Sequence, residues 1–256
     1  MMRFFDLILA STALTLTLTL ALPLRAEEGC PSYQMPAMEV PATKKRLASN
    51  NEVLIVTLGS SSTAGWMATA PAHTYPARLQ SDLANRFPLA HIAVVNRGIG
   101  GQDALEEVAR LDSDAIALRP DLVIWQVGAN GAMAHSDPAV FSKLVSTGIE
   151  RLQAVGIDVV LMDNQRSPMI LASPEHGAME QALADLAKRY RVSLFSRGAL
   201  MDSWQRSGVP YGHFLANDNV HMNDLGYRCV ADVLASSIED GLGQPQRRIA
   251  VAHAAD

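Results

Sequence analysis

Two rhythms of apolar residues alternate along this chain. Glu52-Val-Leu-Ile-Val-Thr-Leu58 is an almost unbroken apolar run that stops at Gly59, the pattern of a strand buried on both faces. Ile92–Val95, Leu122–Val127, Val159–Met162 and Val192–Phe195 repeat the pattern, each short and rich in β-branched residues. Between these runs the spacing turns helical. Pro76–Phe87 places Leu79, Leu83 and Phe87 at i, i+4 and i+8, while Val140, Leu144, Val145, Ile149, Leu152 and Val155 trace one stripe. Met179–Tyr190 offers Leu183, Leu186, Ala187 and Tyr190, and a last helix is expected from Asn223 to about Ile238. Strand–helix alternation repeated about five times predicts a single α/β domain over residues 51–240. The expected form is three-layer α/β/α, with a mainly parallel five-stranded sheet of flavodoxin-like type and right-handed crossovers. There is no internal repeat.

The chain ends read differently. Residues 1–26 carry Arg3, an apolar run from Leu7 to Leu24 diluted by threonines, and the small Ala26. A bilayer core needs roughly 20 largely apolar residues, so this is the pattern of a secretory signal peptide, and a membrane association is expected only if the segment is retained. The expected location is periplasmic or secreted. Residues 27–50, with Pro31, Pro36, Pro41 and the Lys44-Lys45-Arg46 cluster, show no period and read as an extended lead-in; residues 241–256 read as a loose tail. In an oxidising compartment Cys30 and Cys229 could persist as a disulfide or remain two thiols, a choice that depends on their separation in space.

Composition narrows the chemistry. With 48% hydrophobic and 18% charged residues among 256, the chain can build one sizeable core. A net charge of −5, from 21 Lys plus Arg against 26 Asp plus Glu, supplies no broad basic field, so no nucleic-acid partner is expected. Two distant cysteines make neither a C-x-x-C redox centre nor a cysteine zinc site, and no metal or cofactor is expected.

In open α/β sheets, reactive groups gather beyond the carboxyl ends of the strands. The motifs here fall at such ends: Gly59-Ser60-Ser61-Ser62 after the first strand, Asn96-Arg97-Gly98-Ile99-Gly100-Gly101 after the second, and Gly128-Ala129-Asn130-Gly131 after the third. Asp218-Asn219-Val220-His221 precedes the last helix. The first lacks the lysine of a phosphate-binding loop and, with Thr63, the final glycine of a G-x-S-x-G elbow. The second has Asp103 where a dinucleotide fingerprint needs glycine. Alone, a serine-rich turn is a helix cap and a lone Asp a turn former. Together the four supply a serine nucleophile, a histidine base, a carboxylate to orient it, and backbone and amide donors for an oxyanion.

At these blocks the chain resembles the SGNH hydrolases, the GDSL-type esterases and lipases, over most of residues 53–234. Gly59-Ser60-Ser61 is similar to the family's Gly-Asp-Ser block, Gly101 to the glycine of the second, Asn130 to the asparagine of the third, and Asp218 with His221 to the last. The resemblance implies Ser61, His221 and Asp218 as catalytic residues, with Ser61, Gly101 and Asn130 forming the oxyanion hole. It departs at Ser60 and Gly131, each standing where the family has an aspartate that helps hold its loop.

The expected reaction is acyl transfer in two steps, on a small acyl ester or an acylated carbohydrate, with acetyl as the candidate group. An O-acetyltransferase using the same residues, and an envelope carbohydrate-binding protein of weak activity, are the alternatives. Arg97, Asp103, Trp125 and Gln126 flank the motifs as candidates to shape the pocket, although Trp125, in an apolar strand, is expected in the core. Trp66, His73 and Tyr75 are candidates to line an acyl or alcohol site, while His91, His135, His176, His213 and His253 have no matching partner pattern. Oligomeric state has no sequence signal.

Overall fold

The computed structural model describes residues 29–50 and 52–243. The proposed signal peptide and most of the proposed tail lie outside the described residues. The chain runs α1 (Pro41–Asn50), β1 (Glu52–Gly59), α2 (Ser61–Ala64), α3 (Tyr75–Arg86), β2 (His91–Gly98), α4 (Ala104–Ala109), α5 (Leu111–Asp114) and β3 (Leu122–Gln126). It continues through α6 (Ala129–Met133), α7 (Pro138–Ala154), β4 (Asp158–Met162), α8 (Pro168–Leu171), α9 (His176–Tyr190), β5 (Ser193–Phe195), α10 (Arg197–Arg206) and α11 (Asp224–Leu242).

The five strands form one parallel sheet in the order β2-β1-β3-β4-β5, with Thr57 beside Asn96 on one side and Ile124 on the other. Because side chains alternate across a strand, each strand feeds two cores. Ile55, Leu122, Ile124, Val160 and Met162 pack with residues of α3, α10 and α11. Val56, Leu58, Val123, Trp125 and Leu161 pack with α4, α7 and α9. The result is the α/β/α sandwich expected from the pattern of strand and helix runs.

The segment expected to be an extended lead-in differs. Residues 29–40 have no regular structure but bury Met35, Met38 and Val40 in the core, and Pro41–Asn50 is helical. Its period is hidden because polar contacts hold it: the Thr43 hydroxyl donates to Asp158 (2.8 Å) and to the Asp121 carbonyl (3.1 Å). Cys30 and Cys229 form a disulfide that ties this segment to α11. The last helix reaches Leu242, so the first residues of the expected loose tail are helical. Among the described residues, no helix is long and apolar enough to cross a membrane.

Candidate active site

The order β2-β1-β3 reverses direction at β1, and the loops leaving β1, β2 and β3 therefore converge at their carboxyl ends. Ser61 heads α2 directly after β1, where the first N–H groups of a helix lack partners in their own turn. The Ser60 carbonyl accepts from Thr63 and Ala64 N–H, and the Ser61 carbonyl from Gly65 and Trp66 N–H, so the turn is tight and the Ser61 hydroxyl is presented at its start. The residue is 7% exposed.

His221 arrives from the opposite end of the chain. The loop before α11 is closed by the Leu215–Met222 bridge and by Ala216 N–H donating to the His221 carbonyl (2.8 Å). Asp218 Oδ1 accepts from the Val220 and His221 N–H groups, both at 3.0 Å, while Oδ2 lies 2.6 Å from His221 Nδ1. With its proton held on Nδ1, the imidazole offers Nε2 as an acceptor, and Nε2 is 2.7 Å from Ser61 Oγ. Partial burial would raise the Asp218 carboxyl, but the hydrogen bonds from His221 and the two backbone N–H groups outweigh it and hold the group below the usual aspartate range.

Gly101 and Asn130 line the same cavity, of about 170 Å³, with Ser61, His221, Trp66, Met133 and Gln165. Gly101 has φ +84°, a left-handed turn that glycine adopts without strain. Asn130 stands in the first turn of α6, and its Nδ2 donates one hydrogen to the Gln102 carbonyl at 2.7 Å, which orients the amide. Ser61, Gly101, Asn130 and His221 thus meet around one cavity, with Asp218 behind the His221 ring.

The flanking residues separate. Trp66 lines the cavity, its ring centroid 5.7 Å from that of His221. Tyr75 does not: it is buried beside Thr63 (3.1 Å), and burial pushes its hydroxyl up to about 12. His73 pairs with Asp224 at 2.8 Å. Asp103 caps α4 in a capping box with Glu106, and Trp125 is fully buried, donating to Glu107 at 2.8 Å. Gln126 lies beneath the nucleophile turn, accepting from Ser60.

Two residues had no motif to announce them. Arg110 gathers the loops, with Nη2 donating to the Gly59 carbonyl (2.9 Å), Nη1 to the Arg97 carbonyl (2.8 Å) and Nε to Gln102 Oε1 (2.5 Å). Gln165, just past β4, donates to the Val220 carbonyl at 3.0 Å and anchors the His221 loop. Both act on backbone carbonyls or a side-chain amide, which leave no residue pattern to read. Among the described residues, no cluster of His, Cys, Asp and Glu is arranged to hold a metal ion.

The model of the non-GDSL lipase-like family matches residues 29–244 of the chain. No curated protein matches it in sequence. Among solved structures, the lipase/acylhydrolase from Enterococcus faecalis is 20% identical, with a TM-score of 0.66 over 76% of this chain and 99% of its own. An acetyl xylan esterase is 24% identical, with a TM-score of 0.62 over 73% of this chain and 100% of its own. A two-domain esterase active on acetylated mannans is 20% identical, with a TM-score of 0.67 over 82% of this chain and 55% of its own. These likenesses establish a shared fold. With the family match over residues 29–244, the chain belongs to the non-GDSL lipase-like family, within the SGNH superfamily of esterases and lipases.

Proposed function

We propose that the protein is an exported serine esterase that removes a small acyl group, acetyl by its size, from an oxygen ester of a carbohydrate. The observation that carries this reading is the continuous chain from Ser61 Oγ through the His221 ring to Asp218, with links of 2.7 and 2.6 Å. His221 Nε2 takes the Ser61 proton as Oγ bonds to the ester carbonyl carbon. The oxyanion is met by the N–H groups of Ser61 and Gly101 and by the Asn130 amide. Collapse breaks the carbon–oxygen bond to the alcohol, which leaves with the proton from His221; water then repeats the cycle and releases the acid.

A cavity of about 170 Å³ favours a short acyl group. The carbohydrate half is supported by the acetylated mannans and xylan in the names of the structural neighbours, and export by the N-terminal pattern together with the disulfide. The test is intact mass after fluorophosphonate treatment, beside p-nitrophenyl acetate turnover. One covalent adduct, absent in Ser61→Ala along with turnover, is expected; wild-type turnover by that variant, or no adduct on the native protein, overturns the reading. Products analysed with a sugar acceptor present should be free acid, and acylated sugar would reassign the enzyme as a transferase.

A further inference from the structure

Of the three tryptophans, Trp125 and Trp204 are fully buried, whereas Trp66 is 54% exposed. A large aromatic surface left in water forgoes the stabilisation that burial would bring. Nor is the side chain loosely attached. Gly65 (φ 89°) and Met67 (φ 66°) both adopt left-handed backbone on either side of it, the second a conformation that side chains other than glycine seldom take. The Tyr227 hydroxyl donates to the Trp66 carbonyl at 2.8 Å. Further along the loop, Asp224 accepts from the Thr69 N–H (2.9 Å) and the Thr69 hydroxyl, and pairs with His73.

The indole packs on Gly100, where an added Cβ would stand 2.7 Å from Cζ2, so any side chain there would displace the ring. Its centroid lies 5.7 Å from that of His221, with the two planes inclined by 40°. Direction follows from the chemistry. His221 Nε2 must return its proton to the oxygen of the departing alcohol, so the alcohol half of the substrate lies beside the His221 ring, within reach of the indole. Ser60, Ser62, Asn130 and Gln165 bring polar groups to a cavity whose other walls include the apolar Ala129, Met133 and Val220, and beside it the indole keeps half of its surface open to solvent.

We infer that Trp66 is a stacking platform for a pyranose ring on the alcohol side of the scissile ester, and that it sets selectivity for acylated sugars over esters of small alcohols. The inference rests on the serine-esterase reading above. A sugar ring turns one face of C–H bonds toward the electron-rich face of an indole and keeps its hydroxyls toward solvent.

The test has a binding arm and a kinetic arm. In Ser61→Ala, titration with an acetylated methyl pyranoside should produce a saturable change in tryptophan emission, and Ser61→Ala/Trp66→Phe should lose it. In the otherwise native enzyme, Trp66→Ala should lower the ratio of kcat/KM for that pyranoside to kcat/KM for ethyl acetate by about tenfold, with partial rescue by Trp66→Phe. An unmoved ratio, or a silent titration, overturns the assignment, and a loss confined to dodecyl acetate replaces the sugar with a hydrocarbon. Wild-type hydrolysis by Ser61→Ala would instead strike the esterase reading itself, so the two failures are distinguishable.

Discussion

Gln126 Oε1 receives three donors at once: the Ser60 N–H, the Ser60 hydroxyl and the Thr63 hydroxyl, each at 3.1 Å. The turn, with Ser60 ahead of Ser61, is braced from below by a neutral amide. Gln126→Met keeps the volume and removes the acceptor, and a buried N–H left unmet costs about 1–3 kcal/mol. The urea midpoint should fall by that measure, and kcat should fall more than KM changes, because the turn carries Ser61. A midpoint equal to that of the native protein would show that the three bonds add nothing. Asn130→Ala removes an amide that the Gln102 carbonyl already orients, and should lower kcat roughly 10²- to 10³-fold in a folded protein. A carboxylate with a depressed pKa stabilises the fold above its ordinary range and loses that contribution only as pH falls through the lowered value. Asp218 is such a group, so down to its ordinary range it stays ionised and keeps orienting His221. Acidification from neutrality to about pH 5 should therefore take nothing from the urea midpoint through Asp218, so the native protein and Asp218→Asn should change in parallel over that range; a loss in the native protein alone would overturn this.

At the scale of elements, α7 shows how a glycine can be the residue that packs. Exchanging a helical glycine for alanine usually stabilises by up to about 1 kcal/mol. At Gly148 the sign should reverse, because an added Cβ would stand 2.4 Å from Cη2 and Cζ3 of Trp125, a ring held from the far side by Glu107. Overpacking of this kind costs about 1–3 kcal/mol, and a urea unfolding curve for Gly148→Ala should shift downward; an upward shift would mean that Trp125 yields. The same helix marks a limit of reading stripes from sequence. Val140 and Val155, counted in the apolar face, are 56% exposed, and Phe141 and Gly148 take their places. β1 to β4 were legible as apolar runs holding β-branched residues, β5 by Val192, Leu194 and Phe195, and the long helices because their leucines keep period. Helix α10 was not, since its buried face includes Arg197 and Gly198, and α1 was not, since its buried residue is the polar Thr43, held by Asp158 and the Asp121 carbonyl, with Leu47 only partly buried against the core. The candidate site was legible where a residue type is tied to a motif, at Ser61, Gly101, Asn130, Asp218 and His221. Arg110 and Gln165 escaped because their work is done on carbonyls brought near by the fold.

On the scale of the molecule, the disulfide joins the segment before α1 to the last helix. Cys30 and Cys229, 199 positions apart, close a loop that contains the whole sheet and every proposed site residue. Around it, Met35, Met38 and Val40 are buried against α11, and Met38 N–H donates to the Ser237 carbonyl at 2.9 Å, so the N-terminal segment is packed as well as tethered. Closing so long a loop restricts the unfolded chain far more than the folded one, and removing a native disulfide typically costs about 2–5 kcal/mol against a whole stability of about 5–15 kcal/mol. Cys30→Ala should therefore lower the urea midpoint, and a reductant should lower the native midpoint to a similar value while leaving the variant unmoved. Neither sulfur lines the Ser61 cavity, so turnover per folded molecule should survive the loss. If reduction left the midpoint in place, the apolar packing of residues 35–40 would be holding the segment alone. If turnover fell while the midpoint held, the bridge would be acting through α11 on Asp224 and the Trp66 loop that it anchors.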